Sequence, residues 1–178
     1  MIRTDVGQRQ LDSIQIKWGP YRDVAVLGDL PLLTDIGLGG ATALESLDPL
    51  RDLSQISTLF VEQSHRVADI SPISTLANLE DLCFGNANPG SDKSVVLPDL
   101  AWLPPLQNLK RLALPGTRLV DSDLSPLLSL PNLESLNMPL RRQYRAQVFA
   151  LGPTHPLFAQ WAAKYTALDE WVASTRTS

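Results

Sequence analysis

Cys83 is the single cysteine of the 178 residues, and His65 and His155 are the two histidines. A thiol becomes a nucleophile only when a neighbouring base or cation draws off its proton, so a Cys–His hydrolase would need one imidazole beside Cys83. One Cys and two His give no C-x-x-C or H-x-x-x-H spacing for a metal, and a lone cysteine closes no internal disulfide. "GLGG" (37–40) is glycine-rich but lacks the strand–loop–helix setting of a phosphate cradle. Binding chemistry is better represented. Trp18, Phe60 and Arg111 are of the residue types that anchor protein interfaces. Asp35, Glu62 and Asp81 are charges suited to setting register and steering an encounter. Whether these six share a surface depends on the elements that carry them.

Composition sets the frame for those elements. Hydrophobic residues make up 44% and charged residues 19%, with a net charge of −4. These are globular values for one folded domain. The acidic balance argues against a general binder of nucleic acid or of anionic membranes. "MIRTDVGQRQ" at the N-terminus has no apolar run of the signal-peptide kind. No apolar stretch approaches the ~20 residues of a membrane span. The expectation is a soluble, cytoplasmic protein without cofactor.

The chain is built on a repeat. In "DLSPLLSLPNLESLNMPL" (123–140), apolar residues fall at Leu124, Leu127, Leu130, Leu133 and Leu136, then at Met138. Four steps of three thus precede one step of two. The same spacing starts at Val24, Leu47, Ile70 and Leu100, and an incomplete copy ends in Leu11, Ile14 and Ile16. The penultimate members stand at 14, 36, 59, 82, 112 and 136, so the intervals are 22, 23, 23, 30 and 24.

Each copy closes on L-x-x-L-x-L and several carry an X-Pro run-up, as in "LDPL" (47–50), "ISPI" (70–73) and "LSPL" (124–127). This pattern resembles the leucine-rich repeat, and within it the short internalin-type class of about 22–24 residues, also found in a protein-phosphatase regulatory subunit. The resemblance covers roughly residues 11–140. It implies protein–protein recognition in general and no particular ligand. One family position departs: the ladder asparagine after each strand is replaced by Gly19, Ala41, Ser64, Ala87, Thr117 and Arg141. Turn backbone groups must therefore find other partners.

Physics accounts for the spacing without the family. A step of two puts both apolar side chains on one face of a short strand. Stacked copies align those strands into a parallel sheet, on rungs ~4.8 Å apart. The steps of three fit a helical turn and extended backbone crossing the back of the coil, with Asp48, Ser71 and Ser125 placed to cap just before a proline. The fold class expected is an α/β leucine-rich-repeat solenoid with a concave parallel sheet, short convex helical turns and a helical C-terminal cap. Residues 1–140 would form about six coils, with a loop insertion at 85–96 where the interval of 30 falls. Residues 141–178 would form the cap and tail. There, Leu157, Trp161, Tyr165, Leu168 and Val172 trace an amphipathic helix, and a shorter helix over about 142–150 precedes it. Residues 1–10 offer only Ile2 and Val6 to cover the first coil, so this end either forms a crude edge strand or leaves an edge for another chain.

In this register the six candidate residues lie on or just beyond the outward positions of the strands, on the concave face. Cys83 has Phe60 and Ala113 as lateral neighbours, and His65 is roughly 15 Å off along an extended path. The reading is a non-catalytic protein-interaction module whose partner-binding residues are Trp18, Asp35, Phe60, Glu62, Asp81 and Arg111. Alternatives are a sensor or autoinhibitory segment of a larger signalling protein, a Cys83 hydrolase, and a self-associating unit.

Overall fold

The computed structural model describes residues 11–17, 19–88 and 93–176. Six strands form one parallel sheet: β1 (Ser13–Ile16), β2 (Asp35–Leu38), β3 (Thr58–Glu62), β4 (Asp81–Gly85), β6 (Arg111–Ala113) and β8 (Ser135–Asn137). They lie in sequence order, and the penultimate leucines share one rung: Ile14, Ile36, Leu59, Leu82, Leu112 and Leu136. The repeat interval thus fixes the register, including across the interval of 30.

The back of each coil differs from the expectation of one helical turn and an extended piece. It is a run of successive turns in which each apolar residue donates its N–H to the carbonyl three residues earlier. Leu50 donates to Leu47 at 2.9 Å, Leu53 to Leu50 at 3.0 Å and Ile56 to Leu53 at 3.0 Å. The same triplets recur from Val24, Ile70, Leu100 and Leu124. A 3₁₀ arrangement has 3.0 residues per turn and stacks side chains at i and i+3. That periodicity is the step of three. It turns Leu47, Leu50 and Ile56 inward at 0% exposure.

Capping also falls elsewhere than expected. Ser71 and Ser125 are not the caps of their turns, nor is Asp48; the cap stands two residues earlier. Ser46 Oγ accepts from Asp48 N–H, Asp69 Oδ1 from Ser71 N–H and Asp123 Oδ1 from Ser125 N–H. Asp23 and Asp99 do the same for Ala25 and Ala101. A short side chain bonding the backbone two residues on is a turn of its own. These hydrogen bonds hold the Asp69 and Asp123 carboxyls below their ordinary pKa.

With the family asparagine absent, coils are tied by backbone. One carbonyl per coil accepts two N–H groups of the next: Thr34 from Ser57 and Thr58, Ser57 from Glu80 and Asp81, Glu80 from Lys110 and Arg111. Asparagines do contribute, at a different turn: Asn108 Nδ2 donates to the Ala77 carbonyl and Asn132 Nδ2 to that of Gln107, both at 2.9 Å.

The insertion is smaller than residues 85–96. Gly85 ends β4, and Val95–Leu97 is a strand, β5, paired in parallel with β7 (Thr117–Leu119). Val95 and Leu97 are buried, so alternation rather than solvent governs this piece. The chain passes so tightly here that a Cβ on Gly85 would lie 2.1 Å from the Pro115 carbonyl oxygen. Only glycine fits that approach.

At the far end, α1 (Arg145–Leu151) and α2 (Pro156–Arg176) cover the last coils. Cap side chains supply the missing partners of coil backbone. Tyr144 Oη accepts from Leu119 N–H, Gln147 bridges Leu124 N–H and the Ser122 carbonyl, and Arg141 Nε donates to the Thr117 carbonyl. Tyr144, Phe158, Trp161 and Tyr165 pack ring to ring beneath, and Met138 is buried as expected. The apolar stripe of α2 docks only in part. Leu157, Trp161 and Tyr165 are buried, whereas Leu168 and Trp171 are exposed beyond the solenoid. Thr154 turns its hydroxyl back to Leu151 instead of capping α2. The expected edge strand over residues 1–10 lies outside the described residues.

Candidate protein-binding face

The outward positions of the sheet form three rows, and the middle row decides its character. Gln15, Gly37, Phe60, Cys83, Ala113 and Asn137 stand side by side across six strands. Phe60 is flanked by a glycine and a cysteine, so nothing of its own size shelters the ring, and 37% of it is exposed. A hollow opens on either side. One, of about 430 Å³, runs over Gln15, Lys17, Gly37 and Gly39 to Phe60 and Glu62. The other, of about 610 Å³, runs from Phe60 past Cys83 and Ala113 to Asp81, Arg111 and Asn137. Phe60 is the wall they share.

The structure places five of the six candidate residues on this face; Trp18 lies outside the described residues. Asp35 accepts the Thr34 hydroxyl at 2.6 Å at the near edge. Glu62 closes the first hollow opposite Lys17. Asp81 and Arg111 are partners in register, joined by a two-pronged ion pair. Arg111 is therefore not a separate anchor. Its guanidinium is held charged by the hydrogen bonds and charge of Asp81, with Glu134 and Glu80 adding smaller contributions.

Sequence reasoning missed three things here. Gly37 and Gly39 of "GLGG" floor the first hollow: a Cβ on Gly37 would meet Gln15 Cγ at 3.2 Å, and one on Gly39 the Lys17 carbonyl at 3.1 Å. Gln63, also lining it, holds a left-handed φ of 62° where the preceding coil has Gly40 at 60°. The Asp81–Arg111 pair was readable from the repeat interval, because equivalent positions of adjacent coils must face each other.

The face offers recognition more readily than reaction. Burial, and then the charge of Glu62, push the Cys83 thiol up to about 11, so it is protonated at neutral pH. That contradicts a Cys83 nucleophile in this state. Glu62 and His65 stand three residues apart, yet among the described residues no three metal-ligating side chains gather. No described helix is long and apolar enough to cross a membrane.

No protein-family model matches the chain, and no curated protein does. Among solved structures, internalin C2 of Listeria monocytogenes superposes with a TM-score of 0.57 at 26% identity, over 71% of this chain and 53% of that one. The chain is a leucine-rich-repeat protein of the internalin type. A second internalin of the same organism is 23% identical with a TM-score of 0.54, over 72% of this chain and 35% of its own. This internalin-type chain thus spans about half the length of the first relative and about a third of the second. The shared architecture is the parallel sheet with its short convex turns.

Proposed function

We propose that this protein is a non-catalytic interaction module that holds a partner protein against its concave sheet, with Phe60 inserted into the partner. The observation that carries the reading is the exposed Phe60 ring standing between two hollows over small-residue floors. An aromatic anchor with depressions beside it accepts and enters a complementary surface at once. The Asp81–Arg111 pair on one flank, with Glu62 and Asp35 on the other, sets polar register around it. A preformed sheet loses little conformational freedom on binding, which suits rigid scaffolding. The internalin-like architecture and the protonated Cys83 support binding over catalysis. A single cysteine fits a reducing, cytoplasmic setting, and the acidic balance favours a protein partner over nucleic acid or membrane.

The test is capture from lysate with three folded baits: wild type, Phe60→Asp, and Val120→Asp as an exposed control away from the sheet. The reading expects one protein retained by wild type and Val120→Asp and lost from Phe60→Asp. Equal retention by all three baits contradicts it.

A further inference from the structure

The first strand leaves an edge whose pattern fits only certain partners. Asp12 accepts from the N–H groups of Thr34 and Asp35 at 2.8 and 3.1 Å, and Ile16 accepts from Gly39 at 2.7 Å. Along a strand in a parallel ladder, alternate residues address opposite neighbours. Even-numbered residues of β1 therefore bond β2, and Ser13, Gln15 and Lys17 turn their N–H and C=O groups outward. Among the described residues none pairs with that outer edge. The apolar face beside it is also incompletely covered. Ile14 and Ile16 are only half-buried and Leu11 is exposed, while their counterparts Ile36, Leu38, Leu59 and Val61 are at 0–1%.

We propose that a second copy of this chain occupies the edge, β1 pairing antiparallel with β1 about a two-fold axis through Gln15. The sequence 13–17 is complementary to itself in that register and in no neighbouring one. Gln15 faces Gln15 of the second copy, Ser13 faces its Lys17, and Ile14 faces its Ile16, so apolar residues meet on the inner face and polar residues on the concave face. A shift by one residue sets apolar against outward positions. Centring on Ile14 sets the Asp12 carboxylate against Ile16. Head-to-tail stacking of β1 onto β8 meets the α1–α2 cap at that end and would not close. The two-fold pairing ends the growth and removes the exposed edge. Both concave faces then lie on the same side of one continuous sheet. The two Phe60 ridges stand five strand spacings apart, about 24 Å, which makes the assembly bivalent.

The full-length chain is measured by sedimentation from micromolar to hundred-micromolar concentration. The mass should rise from 19.5 kDa toward twice that value. Gln15→Pro removes an outward donor without touching the β2 ladder, so it should leave the thermal midpoint within a few degrees and abolish the rise. Cross-linking keeps the idea testable should that variant misfold. In a Cys83→Ser background, Gln15→Cys places two thiols on a hydrogen-bonded pair with Cα atoms ~5.5 Å apart, within disulfide reach. It should oxidise to a covalent dimer. Ser13→Cys, whose two copies would lie ~14 Å apart along the strands, should not. A wild type that stays monomeric throughout, or Ser13→Cys cross-linking as readily as Gln15→Cys, overturns the proposal.

Discussion

Phe60, Cys83 and Gln63 show how one residue's neighbours decide what it does. Phe60 is exposed because its lateral partners are Gly37 and Cys83; a leucine at either position would shelter the ring. Cys83 sits half-buried between that ring and Ala113 with Glu62 nearby. At neutral pH its alkylation should run roughly 100-fold slower than that of a free thiol, since only the thiolate reacts. A rate matching free cysteine, read by mass spectrometry, would contradict the burial. Gln63 occupies a left-handed turn that Gly40 occupies one coil earlier. Non-glycine residues there cost about 1 kcal/mol or more, part of which glycine returns as chain entropy. Gln63→Gly should therefore stabilise by about 0.5 kcal/mol in urea denaturation. Of this scale, strand positions were legible in the sequence, and the outward set followed from them. The ion pairing of Arg111 was not recognised, although the interval of 30 already set it opposite Asp81.

At the level of elements, the sheet was legible because a step of two has one simple structural meaning. The step of three was misread, since a helical turn plus extended backbone and a run of 3₁₀ turns bury the same leucines. Hydrogen bonds distinguish them, and spacing alone does not show those. The cap signal was present but overlooked: Asp23, Ser46, Asp69, Asp99 and Asp123 recur at 23, 23, 30 and 24, in step with the leucines. Strand β5 escaped notice because three residues within an insertion carry almost no periodicity. The caps predict a pH dependence. Asp69 and Asp123 have folded pKa values below their unfolded ones, so their contribution is present at neutral pH and is lost as pH falls through the lowered values. The D69N/D123N variant retains the turns without titrating. Its thermal midpoint should fall less steeply than that of wild type across the acidic range, and parallel curves would contradict the assignment.

Over the whole molecule, each coil rests on its neighbours, so stability is shared along a line. Leu76 is fully buried in a central coil, and Leu76→Ala should cost about 2–5 kcal/mol in urea denaturation. A loss below 1 kcal/mol would mean the stacked core is looser than described. The C-terminal cap was anticipated because a solenoid end must be covered, but the free half of α2 was not: its stripe continues through Leu168 past the point where packing stops. Periodicity reports a helix's faces and says nothing of where its docking surface ends. The central claim is that the concave sheet, through Phe60, is where a partner binds. The most direct measurement is the affinity of the captured partner for wild type, Phe60→Asp and Val120→Asp, titrated side by side. Loss of an aromatic anchor is worth roughly 2 kcal/mol or more, so Phe60→Asp should weaken binding about 30-fold while Val120→Asp leaves it unchanged. Equal affinity for wild type and Phe60→Asp would contradict the claim.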